Sequence, residues 1–301
     1  MCYNLTAAPS AIYGDTPEFA AFNAMFKLNT SLTATPHLKQ CNAKASYAYY
    51  QMFTDCSSLQ SISTDLTAWG NSDIWLRNVS ADGTFYCPSI LGTNSTIARG
   101  TNRCPNNWTV YNITTLKYQD GTAHMHAMTG SLTKQNVLDA VEEDNQTSGN
   151  LRYVYMGQEV TAVAPSAFSD WSYLKGIVIG ENVEIVDDNA FRRDASISSI
   201  TFAGSSLTAI GPYAFGGVQN TGRYDLPEGL QTIGNNAFVY SGSTPNGLSV
   251  VSIPSTVTSI GSSAFSNSNA LLSVIFNGKT MDEVTAMDNY PWSASGKIFV
   301  N

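Results

Sequence analysis

The residues that could ligate a metal or carry catalysis are few, and their spacing is poor. His124 and His126 stand two apart in an alternating stretch. On a strand that spacing puts both imidazoles on one face. A metal site needs a third and usually a fourth ligand. His37 is far away in sequence, and no Cys or carboxylate is spaced to join the pair. Two solvent-facing strand histidines are the simpler expectation, with no metal and no cofactor. Cys87 and Cys104 flank a 16-residue loop, and each is followed by Pro. They read either as a disulfide in an exported protein, contributing about 3 kcal/mol, or as two reduced structural thiols. Cys2 and Cys56 share a repeat position where a small thiol packs well, and Cys41 is left over. There is no Gly-x-Ser-x-Gly elbow, no phosphate-cradling Gly-rich loop with Lys, and no His-Glu-x-x-His. The carboxylate pairs Asp187-Asp188 and Glu142-Glu143 fall in a turn and at a helix end. The sequence therefore reads as non-enzymatic.

Composition narrows the partners. The 301 residues carry a formal net charge of −8, and only 13% are charged. Nucleic-acid binding needs clustered Lys and Arg to neutralise phosphates, and this chain does not supply them. No apolar run approaches the 18 residues of a membrane span. Ser, Thr, Asn and Gly take the place of charge, as turns between stacked units require.

The elements that position these residues come in repeats. Between residues 160 and 278 an Ala-Phe pair closes five residues after a β-branched residue five times: Val163/Phe168, Val186/Phe191, Ile210/Phe215, Ile233/Phe238 and Ile260/Phe265. The Phe-to-Phe steps are 23, 24, 23 and 27 residues. Each Phe is followed by a leucine-like position and then by apolar residues three and five later. Examples are Leu174, Ile177, Ile179 and Leu271, Val274, Phe276. Such a period with a fixed apolar register predicts a solenoid of stacked coils, each contributing a short strand. The unit with Thr221 in the leucine position is irregular. Phe215 and Phe238 are expected to be buried.

These residues resemble the BspA-like leucine-rich repeats of bacterial surface proteins, notably Ile210-Gly211 with Ala214-Phe215, Ile233-Gly234 with Ala237-Phe238, Val251-Ser252-Ile253-Pro254, and Ile260-Gly261 with Ala264-Phe265. A different spacing opens the chain. Leu5, Leu32 and Leu59 are 27 apart, as are Pro9 and Pro36, Met25-Phe26 and Met52-Phe53, and Phe22 and Tyr49. This pattern resembles the methionine-phenylalanine repeats of BspA-type proteins of gut bacteria and of phages that infect them. The stretch 75–111, with Cys87-Pro88 and Cys104-Pro105, resembles the terminating unit of such an array. Met1 aligns with Asp55 in the repeat, which predicts further repeats upstream.

The expected fold is thus an α/β-type solenoid. Two leucine-rich-repeat-like arrays stand in tandem, with short parallel strands, an irregular or 3-10 convex side and few helices. The expected divisions are 1–112 (Met-Phe-type repeats with their terminating unit), 113–160 (connector and N-terminal cap), 161–280 (BspA-like repeats) and 281–301 (C-terminal cap). Within the connector, a strand at 114–118, an Asp120-Gly121 turn and a strand at 122–128 predict a hairpin. Ser131 or Thr133 is placed to cap a helix over 134–141, with Leu138 and Val141 inward. A strand is expected at 151–156 and a short helix at 281–287, with Val284 and Met287 inward.

With no chemistry assigned, the outward strand positions are the candidate binding surface. On the concave face these are Val178, Thr201, Asp225, Ser252 and Ile275, flanked by Gly176, Ser199, Arg223, Val250 and Ser273. The resemblance implies a surface adhesin holding a protein or glycan ligand on a host or neighbouring cell. From the same resemblance, alternatives are a phage structural or receptor-binding protein, or a scaffold attached to an enzyme outside this chain.

Overall fold

The computed structural model describes residues 5, 9, 11–13, 22–39, 49–64, 74–88, 91, 98–100, 103–218, 222–240 and 248–301. They form two compact units, one of residues 1–115 with 122–126 and one of residues 116–121 with 127–301.

In the first unit β1 (Ala11–Tyr13) pairs in parallel with β2 (His37–Lys39). Strands β3 (Ser61–Ser63), β4 (Thr84–Pro88) and β5 (Thr109–Tyr118) follow, also parallel. Ile62, Phe85 and Val110 are in register and buried, so alternation places one face inward. Strand β6 (Ala123–His126) returns beside β5 after the turn at Asp120-Gly121, as the Asp-Gly pair predicts. The aromatic positions repeat in space as in sequence. Phe22 stacks on Tyr49 at 5.5 Å and Phe26 on Phe53 at 5.3 Å.

The second unit begins with β7 (Gly130–Leu132) and α1 (Lys134–Glu143). Thr133 caps α1 through a reciprocal capping box with Asn136. The helix buries Val137, Ala140 and Val141, the i, i+3, i+4 stripe, whereas Leu138 is only half-buried. The inward face is therefore rotated one residue from the expected one. The coils then alternate a longer and a shorter strand: β8 (Leu151–Tyr155), β9 (Val160–Val163), β10 (Gly176–Ile179), β11 (Ile185–Val186), β12 (Ser199–Phe202), β13 (Ala209–Ile210), β14 (Arg223–Asp225), β15 (Thr232–Ile233), β16 (Val250–Ile253), β17 (Ser259–Ile260) and β18 (Ser273–Phe276). Helix α2 (Met281–Thr285), capped by Thr280 and Glu283, and β19 (Ile298–Val300) end the unit. Val284 is buried and Met287 packs against the same core.

All pairings between these coils are parallel. The longer strands form β8-β10-β12 and β14-β16-β18-β19, and the shorter ones form β7-β9-β11-β13-β15-β17. The fold is a parallel β-solenoid with few helices. Its rhythm starts earlier than position 161. Val154 pairs with Ile177 and Tyr155 with Val178, so Leu151, Val154 and Met156 hold the leucine, +3 and +5 positions inside the stretch expected to be connector.

Phe168, Phe191, Phe215, Phe238 and Phe265 make one continuous stack, with centroid spacings of 5.2, 5.3, 5.5 and 5.7 Å. All five are at most 4% exposed, as expected for Phe215 and Phe238. The recurring Ile-Gly has a steric cause. A Cβ on Gly211, Gly234 or Gly261 would lie 2.4–2.7 Å from backbone of the preceding coil.

Candidate binding face of the second unit

The outward positions fall on consecutive strands in register: Gly176, Ser199 then Arg223, Val250, Ser273, and Val178, Thr201 then Asp225, Ser252, Ile275. Ser199, Thr201, Arg223 and Asp225 are exposed, while Val178, Ser273 and Ile275 are half-buried. Arg223 Nε donates to Asp225 Oδ1 at 2.6 Å, with both side chains more than half exposed. An ion pair so wet contributes little stability, so both groups remain usable by a partner.

Ser252 departs from the expectation. It is 4% exposed, and its Oγ accepts a hydrogen bond from Asn277 Nδ2 at 2.8 Å. Its short side chain sits between the larger Asp225 and Ile275 on the flanking strands and does not clear them. It is a packing residue, not a contact for a ligand.

Sequence reasoning missed two outward aromatics. Tyr153 and Tyr155 on β8 take the positions of Gly176 and Val178, with rings 6.3 Å apart. Tyr153 leans over Gly176, where an added Cβ would meet its Cδ1 at 2.9 Å, and Lys117 Nζ lies 6.0 Å from its ring centre. The signal was present: once Leu151, Val154 and Met156 are recognised as inward, 153 and 155 must face out.

The remaining candidates resolve as structural groups. Cys87 and Cys104 are buried free thiols in this structure. Each has its own donor, Asn112 Nδ2 to Cys87 Sγ at 3.7 Å and Arg99 Nη1 to Cys104 Sγ at 3.3 Å. Burial pushes Cys104 up to about 11 against the pull of Arg99, and Cys87 higher still, so neither is a ready nucleophile. Cys56 is likewise raised to about 11 by burial, and its Sγ donates to Phe26 O at 3.0 Å. Cys2 and Cys41 lie outside the described residues. His124 and His126 are half-buried on β6, and His37 Nδ1 is 2.6 Å from Ser63 Oγ. Among the described residues no group of three or more His, Cys, Asp or Glu could hold a metal ion. Among them, too, no helix is long and apolar enough to cross a membrane.

A family comparison agrees with the repeat geometry. A family model of the BspA type leucine rich repeat region matches residues 145–272 and 244–286, in six copies. No curated protein matches the chain. Among solved structures, a leucine rich cell surface protein from Faecalibacterium prausnitzii A2-165 is 19% identical with a TM-score of 0.40. The alignment covers 90% of this chain but only 65% of that one, so this chain spans less than two thirds of that protein's length. A leucine-rich repeat protein from Bacteroides ovatus ATCC 8483 is 14% identical with a TM-score of 0.40, covering 95% of this chain and 74% of the other. The matched copies begin at residue 145, ahead of the strand whose register already showed a full coil, and run to residue 286.

Proposed function

We propose that the chain is a non-enzymatic binding module, displayed outside the cell, that holds a protein or glycan ligand on the outward face of β10 to β18. The observation that carries this reading is the ordered, exposed display of Ser199 and Thr201 on β12 and of Arg223 and Asp225 on β14, each strand held in register by its partner, β10 or β16. A ligand there meets polar groups in fixed positions and causes little reordering, which favours affinity. The BspA-type repeats support the same reading, since solenoids use such extended faces for binding. Val178 and Ser273 flank the contact.

The test is a variant with Thr201→Lys, Arg223→Glu and Asp225→Lys together. Beads carrying it are compared with beads carrying the parent chain for adhesion to cultured epithelial cells. All three side chains are exposed, so the thermal melt should not change. Adhesion should fall at least tenfold. Equal adhesion by a folded variant would remove this face from the reading.

A further inference from the structure

Away from the strand face, α1 and the turn of the first coil enclose a cavity of about 210 Å³. It is lined by Lys134, Ser148, Gly149, Asp170, Ser172 and Tyr173 among others. That is smaller than the roughly 300–1,000 Å³ of pockets enclosing a whole small ligand, so it suits one ring of a longer one. Tyr173 is 57% exposed, unusually open for a tyrosine in a packed turn.

Its ring is held from one side. The Arg152 guanidinium lies 5.6 Å from the ring centre. Arg152 is itself fixed, with Nη1 donating to Gly149 O at 2.7 Å and to Leu151 O at 3.1 Å, and Nη2 donating to Gln119 Oε1. Gly149, whose added Cβ would stand 3.9 Å from the Tyr173 ring, keeps the rim low. The ring is therefore a pre-positioned flat surface with little ordering left to lose on binding.

The polar groups around it have mixed character. Lys134 Nζ spends one donor on Ser169 O at 3.2 Å and retains others. Asp170 Oδ2 accepts from Ser169 Oγ at 3.1 Å, and Ser148 and Ser172 offer hydroxyls. One cation, one anion and two hydroxyls together suit a neutral ligand whose own groups both donate and accept. A phosphate would meet the Asp170 carboxylate, and a bare hydrocarbon would strand the polar rim.

From this we infer that the cavity beside Tyr173 is a subsite for a single pyranose ring of a glycan. The C–H edge of the sugar lies on the electron-rich ring face, and its hydroxyls reach Asp170, Lys134 and the two serines. The inference rests on the chain being a binding module but uses a site separate from the strand face.

The test is saturation-transfer NMR on the full chain with methyl glycosides of glucose, galactose, N-acetylglucosamine and fucose as probes. At least one should show transfer concentrated on ring C–H protons. Tyr173→Ala and Asp170→Asn, both at exposed side chains, should each weaken it at least tenfold while the chain still melts cooperatively. The triple strand-face variant should bind the glycoside as the parent does, so failure of one site is not confused with failure of the other. Absence of transfer to every glycoside, undiminished binding by folded Tyr173→Ala and Asp170→Asn chains, or preference for a nucleoside monophosphate would each overturn the assignment.

Discussion

The two arrays differ in sequence period yet make the same turn. In the first, Ala24, Gln51 and Ile74 have positive φ. In the second, Ser166, Asn189, Tyr213, Asn236 and Ser263 do, and all eight lie between 47° and 56°. The following residue is Met25, Met52 or Trp75 in the first array and Ala in all five coils of the second. A second positive φ comes four residues after the first, at Leu28, Asp55 and Asn78, and at Asp170, Arg193, Gly217 and Asn267. The leucine position comes six after the Phe in both, as Leu32 and Leu59 or as Leu174 and Leu271. What differs is the filling. In the first array the parallel pairs Phe22/Tyr49 and Phe26/Phe53 meet Trp75, which lies 6.4 Å from Tyr49, Phe53 and Phe85 at varied angles. The second array instead continues one parallel Phe column through five coils. One backbone turn thus tolerates a large or a small side chain directly after its first positive-φ residue.

The parallel is broken most sharply three residues after the Phe. In the first array that position holds buried Asn29, whose Oδ1 accepts from Leu5 N and whose Nδ2 donates to Phe26 O, both at 2.9 Å. In the second it holds buried Asp194. Its Oδ1 accepts from Trp171 N at 2.6 Å, while Oδ2 has no partner. Burial pushes this carboxyl up to about 8; the Trp171 amide opposes that, Asp170 adds to it and Lys134 subtracts. The unfolded acid titrates near 3.8 and the folded one near 8. The contribution of this carboxyl to stability is therefore greatest below about pH 4 and falls until about pH 8, as the unfolded chain releases a proton that the folded chain keeps. The loss is up to about 6 kcal/mol at about 1.4 kcal/mol per pKa unit. Asp194→Asn, copying Asn29, should flatten this slope and be the more stable protein at pH 8. Urea titrations across that range check it, and a variant with the parental slope would break the equivalence of the two positions.

A smaller effect is expected from exchanging the fillings. Met52→Ala should cost about 3 kcal/mol, because Met52 is fully buried and its wall is built for it. Ala214→Met, which overfills a site of zero exposure, should cost about 1–3 kcal/mol. Denaturant midpoints of the two variants measure both, and a cost-free exchange would mean that the arrays are interchangeable in packing as well as in turn. The smallest change concerns Tyr213, a bulky residue at φ 56° where two sister coils have Asn189 and Asn236. Asn adopts this conformation more readily, but Tyr213→Asn gives up the Arg192 guanidinium 4.6 Å from the ring. Each is worth about 0.5–1 kcal/mol, so the net shift in a thermal melt should stay within about 0.5 kcal/mol.

The coils, the buried Phe positions and both helices were legible because apolar offsets, and the Thr133 cap of the first helix, are local signals. The first coil of the second unit was legible too, in Leu151, Val154 and Met156, but it lacks a preceding Ala-Phe pair and so hid in the connector. Ser252 was misplaced because alternation assigns a face without saying how far a short side chain reaches past its neighbours. Asp194 was overlooked for a different reason. Its position holds Trp171, Val218 and Ser268 in sister coils, so no pattern of residue type announces its burial.

The turn side of the second unit also has a direction. Ser166, Phe168 and Asp170 donate their N–H groups to Asp188, Ala190 and Arg192 of the next coil, and Asn189, Phe191 and Arg193 donate to Pro212, Ala214 and Gly216. Every such bond points the same way, so the peptide dipoles add along the stack as they do in a helix, with the carbonyl end at the first coil. There the next carbonyl in line, Ser169 O, faces the Lys134 ammonium at 3.2 Å. At the other end the Phe265 N–H is taken up by Trp292 O. This turn column thus ends at the first coil on an outward carbonyl, and α1 brings a cation to it.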